Sequence, residues 1–165
     1  MENLIELMEQ NIITIDADFD DKSWLQKVST KSGWYFLKTN TPSIIFLTVG
    51  SPVSTYHYKI PERIKYTERL TQKGLAIKQR GVSRYVVYSG KSKHLRQRAR
   101  EHFWGLKKTY CLGLENYPVL KNYKWQFCYA PIDTVDNNSA GDNALLLFGE
   151  QAWRAKNGWP ILCKA

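Results

Sequence analysis

The sequence is poor in cysteine and contains no long apolar stretch. Its three cysteines are odd in number and none belongs to a CxxC pair, which argues against a disulfide framework. The longest apolar runs, such as residues 43–49, are far shorter than the roughly 20 residues that cross a bilayer. The N-terminal sequence MENLIELMEQ is acidic and lacks the parts of a secretory signal. We therefore expect a cytoplasmic protein with reduced thiols and no membrane partner.

Internal repeats and low-complexity tracts are also absent from the sequence. The 165 residues, 43% of them apolar, suffice for one compact core and leave little room for a second. We predict a single domain over residues 1–165, without an added zinc-finger or helix-turn-helix module, and we expect no nucleotide cofactor.

Positive charge is concentrated in one part of the sequence. Residues 59–108 contain 15 Lys or Arg and three Glu, whereas the whole chain carries +9, so the remainder has a net charge of −3. A polyanion would sit on such a segment, although basic residues can also merely solvate a helix face. Tyrosine and tryptophan side chains interleaved with the cations offer surfaces for stacking or phosphate bonding. The pattern favours a nucleic-acid partner.

The most informative stretch is YVVYSGKSKHLRQRAREHFW, residues 85–104. Its first four residues are β-branched or aromatic and predict a strand, which the Ser-Gly at residues 89–90 is expected to break. From residue 92 the apolar side chains recur at helical spacing, so a basic helix should follow the turn. On that helix Arg98 and His102 lie four residues apart and share one face.

Apolar patterning over the rest of the chain predicts an α+β fold, with a small antiparallel sheet of about three strands flanked by helices. Residues 34–37 are predicted to be a strand, with residues 44–49 as its partner. Residues 123–129 alternate as expected of a third sheet strand. Residues 12–15 could form a brief further strand.

Three more segments complete the predicted organisation of the domain. Residues 1–30 are predicted to be an N-terminal helical arm, and residues 50–81 to be a basic insertion that contains a helix. Residues 144–156 should form a core helix, because its first turns are apolar throughout. Asp142 or Asn143 can cap that helix.

Four parts of the sequence resemble the signature of the GIY-YIG nuclease superfamily. The segment YSGKSK at residues 88–93, followed by Arg98, is similar to the second half of the signature, and GWY at residues 33–35 is similar to the first. The segment LLLFGE at residues 145–150 resembles the apolar helix that ends in the family's metal-binding glutamate. The segment PIL at residues 160–162 resembles the Pro-x-Leu that follows it. The resemblance implies a phosphodiesterase that uses Mg²⁺ or Mn²⁺.

The resemblance also implies catalytic roles for particular side chains. It implies that Tyr35 or Tyr88 orients or deprotonates the nucleophile, that Glu150 holds the metal ion and that Arg98 stabilises charge on the phosphate. The planar guanidinium of an arginine can bind two oxygens of one phosphate at once, whereas the ammonium of a lysine acts as a single point charge. His102, one turn beyond Arg98, could bond the phosphate or assist proton transfer, or could be a helix-face histidine without a role.

Three details of the sequence refine this assignment. A carboxylate such as Glu150, which ends a wholly apolar segment, is costly to bury unless it meets a cation or metal ion. A tyrosine base, with an ordinary pKa near 10, needs a nearby cation such as Lys91 or the bound ion. Where similar nucleases often carry an asparagine after Pro-x-Leu, this chain has Cys163, so that supporting role is lost or passes to Asn157.

The remaining cations near the motif and in the insertion are predicted to bind DNA: Lys91, Lys93, Arg96, Arg100, Lys73, Lys78 and Arg80. Because no separate binding module is evident, the chain most resembles the compact type II restriction endonucleases of the family. We therefore expect an endonuclease of double-stranded DNA that forms a homodimer or acts twice to cut both strands. The alternatives are a repair or mobile-element member of the family, or a basic nucleic-acid-binding protein whose nuclease site has decayed.

Overall fold

The computed structural model of the chain describes residues 2–52, 59–106, 110–132 and 140–164. Its helices and strands follow one another as α1 (Glu2–Gln10), β1 (Ile13–Ala17), β2 (Gly33–Thr39), α2 (Ser43–Thr48), α3 (Ile60–Gln72), β3 (Tyr85–Ser92), α4 (Leu95–Trp104), β4 (Trp125–Pro131) and α5 (Ala140–Asn157). Short 3₁₀ helices cover Lys22–Lys27, Leu114–Asn116 and Pro118–Asn122. The predicted α+β class is confirmed.

The four strands form one antiparallel sheet in the order β1-β4-β2-β3. Strand β2 is central and largely buried, because β3 and β4 both pair with it. In this register Tyr35 of β2 lies opposite Gly90 of β3 and opposite Tyr129 of β4. The sheet has one strand more than the approximately three predicted, since the brief strand expected at residues 12–15 pairs with β4 as β1.

The prediction of a strand over residues 44–49 is wrong, because Ser43–Thr48 forms helix α2. Strand β2 is bordered by β3 and β4, so the sheet leaves no position at which this segment could pair with it. In α2 the Phe46 side chain is buried while Ile44 and Leu47 are exposed, as expected of a helix that packs along one face. A short apolar run has no periodicity that separates a strand from a buried helix.

Strand β3 continues through residues 89–90, where the sequence pattern predicts a break. Gly90 is a paired strand residue, and its lack of a side chain makes room for the neighbouring strand rather than for a turn. A Cβ atom at Gly90 would overlap the hydroxyl group of Tyr35. Helix α4 then begins at Leu95, and the backbone N–H of Gln97 donates to Nδ1 of His94, 3.2 Å away, as its N-terminal cap.

Helices pack on both faces of the sheet and create two apolar clusters. On one face α4 and the adjacent 3₁₀ helix bring Trp24, Phe103 and Phe127 into aromatic contact. On the other face α1 and α5 cover Trp34 and Phe36 of β2. Side chains of β2 therefore alternate between two buried layers, which explains why the strand is apolar on both sides.

Helix α5 begins earlier than predicted, at Ala140, so Asp142 and Asn143 lie inside the helix rather than at its cap. Its path across the sheet is set by Gly149, which lies against the indole of Trp34. A Cβ atom at Gly149 would approach a ring carbon of Trp34 to 2.5 Å. Because Gly149 packs closely against Trp34, the turn of α5 that carries Glu150 lies close to the sheet.

The predicted insertion, residues 50–81, packs against the core. Residues 53–58 of it lie outside the described residues. Ile60, at the start of α3, is fully buried. Beyond α3 the backbone N–H of Ile77 donates to the carbonyl oxygen of Trp159, 2.8 Å away. The insertion therefore contacts the segment that follows α5.

The N-terminal residues, predicted to be a helical arm, contact the rest of the domain. Helix α1 packs against α5, where Nζ of Lys156 lies 2.9 Å from a carboxylate oxygen of Glu9, and β1 is an edge strand. Within the described ranges no helix combines the length and the apolar character needed to cross a membrane.

Candidate active site

Four elements bring the motif side chains together. Strand β2 carries Tyr35, β3 carries Tyr88, α4 carries Arg98 and His102, and α5 carries Glu150. The two tyrosine rings stack with their centroids 6.2 Å apart, and the ring of Tyr88 lies 4.6 Å from that of His102. Glu150 is linked to the strand of Tyr88 through Arg154, which contacts both Glu150 and Ser89. Side chains that the sequence pattern singles out therefore lie in one cluster.

His102 is fully buried, and its hydrogen bonds determine its tautomer. Its Nδ1 lies 3.3 Å from the backbone nitrogen of Leu112, a group that can only donate, so Nδ1 accepts. Burial, with help from the nearby charge of Arg98, lowers the pKa of His102 well below its ordinary value, so the ring is neutral. Its proton is consequently on Nε2, which donates to the hydroxyl oxygen of Tyr35 over 2.8 Å.

The hydroxyl oxygen of Tyr35 accepts a second hydrogen bond, from Nε of Arg98 at 3.1 Å. Two donors on one phenolic oxygen stabilise the phenolate, whereas burial opposes it. Burial and, less strongly, Tyr88 raise the pKa of Tyr35 well above its ordinary value of 10.0, while Arg98 acts in the opposite direction. Proton loss from Tyr35 at neutral pH therefore requires further positive charge in the cleft.

Tyr88 is placed differently from Tyr35. It is half-buried, and within the described part of the chain its hydroxyl group makes no hydrogen bond to protein. Burial raises the pKa of Tyr88 to about 12, with Cys163 and Glu150 adding to the rise and Arg98 opposing it. Tyr35 receives two hydrogen bonds but is the more deeply buried of the two tyrosines, whereas Tyr88 is the more exposed.

Arg98 is held in position by three different groups. Besides Nε to Tyr35, its Nη1 donates to a carboxylate oxygen of Glu101 at 2.8 Å and its Nη2 to the carbonyl oxygen of Tyr110 at 2.5 Å. A guanidinium has five N–H donors, so two of them make no contact within the described ranges. The Arg98 side chain is 19% exposed.

Glu150 lies on α5, and its side chain is largely buried. Burial raises the pKa of Glu150, while the charges of Arg154, Lys91 and Arg98 lower it. Its Oε1 accepts a short hydrogen bond from Nη2 of Arg154, one turn later on the helix. The carboxylate therefore has a cation partner, as its apolar surroundings require.

Comparison with known proteins gives no family for this chain. No protein-family model, curated protein or solved structure matches the chain. The positions that carry the resemblance are those of the two tyrosines, the α4 arginine and the α5 glutamate, and the fold brings their side chains into one cluster.

Sequence reasoning missed Arg154, whose side chain is only 9% exposed. Its Nε donates to the hydroxyl oxygen of Ser89 at 2.8 Å, and its Nη2 donates to the carbonyl oxygen of Ser89 at 3.0 Å. The guanidinium also lies 4.7 Å from the centroid of the Trp159 ring. The spacing of four residues from Glu150 could have indicated the ion pair, since such residues face each other on a helix.

Cys163 lies against Arg154 and Ser89. Nη2 of Arg154 lies 3.3 Å from Sγ of Cys163, and the same sulfur accepts from the backbone N–H of Ser89 at 3.3 Å. Burial raises the pKa of the Cys163 thiol, which therefore stays protonated. The Asn157 side chain donates to a carboxylate oxygen of Glu9 at the surface, 3.3 Å away, and to the carbonyl oxygen of Trp153.

Glu150 is the carboxylate that the resemblance assigns to a divalent ion. Among the described residues no group of three or more His, Cys, Asp or Glu side chains is placed to hold a metal ion. Oε1 of Glu150 contacts Arg154, whereas Oε2 makes no hydrogen bond within the described ranges. Mg²⁺ is commonly held by one or two carboxylates together with water and substrate phosphates. The residues fit Mg²⁺ or Mn²⁺ shared with a phosphate better than an ion held by protein alone.

The other predicted ligands of DNA fall into three groups. Lys91 is near the cleft, since its charge lowers the pKa of Glu150. Arg96 instead donates through Nε to the carbonyl oxygen of Val28 at 2.9 Å and, with Arg100, lines a separate cleft of about 550 Å³. The remaining four are exposed at the surface: Lys73, Lys78, Arg80 and Lys93.

Proposed function

We propose that the protein is a divalent-metal-dependent endonuclease of double-stranded DNA, with a GIY-YIG-like site and restriction-type specificity. One observation carries the proposal. Two tyrosines, an arginine and a neutral histidine form one cluster, and Arg154 links a glutamate to the strand of one of the tyrosines. Hydrolysis of a phosphodiester needs a base, a phosphate ligand and negative charge that can hold a metal ion, and these side chains supply all three.

Arg98 is the proposed phosphate ligand. Three of its N–H groups fix the guanidinium through Tyr35, Glu101 and Tyr110, so that the other two can bind two oxygens of one phosphate. Such donors stabilise the charge that develops on the phosphoryl oxygens as water attacks, and they need no reorganisation because they are already in place.

Tyr35 is the proposed base. Once ionised, its oxygen takes a proton from the attacking water as the new bond to phosphorus forms. The bond to the leaving oxygen breaks, and that oxygen takes a proton from solvent. Nε2 of His102 and Nε of Arg98 both donate to this oxygen and stabilise its negative charge. Because Nδ1 of His102 is occupied by the backbone of Leu112, the histidine supports the tyrosine and does not itself collect the proton.

Glu150 would hold the Mg²⁺ or Mn²⁺ ion, mainly through Oε2. When bound, the ion supplies positive charge that neutralises the phosphate and favours ionised oxygen nucleophiles. It also provides the additional positive charge that the buried Tyr35 requires for proton loss.

The exposed cations of the insertion support a DNA substrate. Residues 59–81 present Lys73, Lys78 and Arg80 to solvent, where they can lie along a phosphate backbone. We place the activity in the cytoplasm, where the three cysteines, which form no disulfide, remain reduced. Cutting both strands with one such site per chain calls for a homodimer or two successive nicks.

The proposal is tested with supercoiled plasmid, in Mg²⁺ and in EDTA. We expect cleavage in Mg²⁺ that EDTA stops, and we expect Glu150→Gln to abolish it while DNA binding persists, because the amide keeps the shape but loses the charge. The matched control is Glu9→Gln, which removes the other glutamate paired with a cation of α5, at the surface, and should cleave normally. Wild-type turnover in Glu150→Gln would remove that residue from the site.

A second candidate is a nucleic-acid-binding protein whose nuclease site has decayed. The observation that favours it is the contact between Glu150 and Arg154, which already neutralises the proposed metal ligand. This candidate predicts that plasmid is bound and shifted in a gel but remains supercoiled in both Mg²⁺ and Mn²⁺. Appearance of nicked or linear plasmid in either ion excludes it.

A further inference from the structure

Arg154 joins three segments of the proposed site. It contacts Glu150 on its own helix, both oxygens of Ser89 on β3, and the sulfur of Cys163 after α5, and it stacks against Trp159. A buried guanidinium is costly unless it is paired and bonded in this way, and so many contacts hold it in one geometry. The residue next to Ser89 in β3 is Tyr88, so Arg154 links the glutamate to the strand of a site tyrosine.

The contact is made to one oxygen of the carboxylate. Nη2 of Arg154 reaches Oε1 of Glu150, whereas Oε2 has no hydrogen bond within the described ranges. A divalent ion could therefore approach Oε2 while Oε1 stays on the guanidinium. The adjacent positive charge repels the ion, while the hydrogen bond holds Oε1 on the guanidinium.

We infer that Arg154 is a positioning residue that makes Glu150 a one-oxygen ligand for a divalent ion and weakens the binding of that ion to the DNA-free protein. The inference rests on the proposed function, since it assigns Arg154 to the same site. The proposed role of Arg154 differs from a merely structural role in its effect on ion binding. Loss of a structural residue weakens ion binding and cleavage together, whereas loss of Arg154 should tighten ion binding and slow cleavage.

The test is a Mn²⁺ titration of the DNA-free protein, with unbound Mn²⁺ counted by electron paramagnetic resonance. We expect Arg154→Gln to bind Mn²⁺ at least about tenfold more tightly than wild type, because a unit positive charge in contact with the ligand has been removed. At saturating Mn²⁺ we expect cleavage at least about tenfold slower, because Glu150 is no longer held. The double variant Glu150→Gln with Arg154→Gln should lose the tight site.

The matched control is Lys156→Gln, which removes one positive charge from the same helix at the surface. Its Mn²⁺ affinity should equal that of wild type. If Arg154→Gln does not unfold cooperatively, Arg154→Lys is used instead. This variant keeps the positive charge, so its Mn²⁺ affinity should stay within about threefold of wild type. Its cleavage should fall, because one ammonium cannot reach Ser89 and Glu150 together.

Several outcomes overturn the inference. Unchanged or weaker Mn²⁺ binding in Arg154→Gln shows that the arginine does not oppose the ion, and full cleavage in Arg154→Lys shows that its fork does not position Glu150. Failure of the proposed function has a different signature, because wild-type protein would then leave plasmid intact whatever the Mn²⁺ titrations show.

Discussion

Replacing Tyr35 by phenylalanine removes one oxygen from the centre of the cleft. That oxygen accepts from Nε2 of His102 at 2.8 Å and from Nε of Arg98 at 3.1 Å, and the side chain is 1% exposed. Arg98 keeps its contacts to Glu101 and Tyr110. His102, which is fully buried, is left with an unsatisfied Nε2–H.

The effect on stability follows from these contacts. A buried donor without a partner costs about 1–3 kcal/mol, so we expect the free energy of unfolding to fall by about 2–3 kcal/mol in Tyr35→Phe. The matched control is Tyr129→Phe, on the strand directly opposite Tyr35. Its hydroxyl group donates one hydrogen bond to the carbonyl oxygen of Lys27 at 2.9 Å, so its removal should cost about 1 kcal/mol.

The effect on activity separates a catalytic role from a structural one. A positioned base contributes about 10²–10⁴ in rate, so single-turnover cleavage of a labelled duplex should slow by about 10² or more in Tyr35→Phe. The control variant should cleave at the wild-type rate, and urea unfolding gives the two free energies. Cleavage by Tyr35→Phe within about threefold of wild type, with a large loss in Tyr88→Phe, would assign the base to Tyr88 and refute the reasoning.

Three further predictions address the arginine, the insertion and the histidine. Arg98→Lys should slow cleavage by about 10² or more, because an ammonium cannot bind two phosphate oxygens as the guanidinium fork does; a greater effect of Arg96→Lys would show that the assignment of the phosphate ligand on α4 is wrong. A triple glutamine variant tests the exposed cations Lys73, Lys78 and Arg80. Its slope of log affinity against log salt should become shallower by about 0.9 for each phosphate that the variant no longer neutralises, and an unchanged slope would place the DNA surface elsewhere. Because the folded-state pKa of His102 is lowered, the unfolded chain takes up a proton near pH 6.5 that the folded chain does not. Stability should therefore be complete above that pH and fall below it, by at most about 1.4 kcal/mol per pH unit from this group, and His102→Gln should flatten the dependence measured by urea unfolding.

The main elements of the fold could be predicted from local patterning. Strands β2, β3 and β4 and helices α4 and α5 all lie where apolar periodicity indicates them, because each element must bury one face or stripe whatever its neighbours are. Their ends are less predictable. The extension of β3 through Gly90 depends on the ring of Tyr35 across the sheet, which no local pattern contains.

The secondary structure of residues 44–49 could not be predicted from the local sequence. It is apolar and β-branched enough to be a strand, yet β2 is already bordered by β3 and β4, so the segment becomes α2. Competition for a place in the sheet is a property of the whole chain. The same holds for β1, whose short sequence pattern gains its significance from pairing with β4.

By itself the sequence determined the α+β class, the positions of the strands and helices that carry the motif, and the candidate side chains Tyr35, Tyr88, Arg98 and Glu150. Tertiary structure alone decided which of their atoms meet. The neutral tautomer of His102 depends on a backbone N–H ten residues away, and Arg154 becomes a site residue because the docking of α5 places it against β3. Periodicity reports that a face is buried, but hydrogen bonds between distant segments are set when those faces pack together.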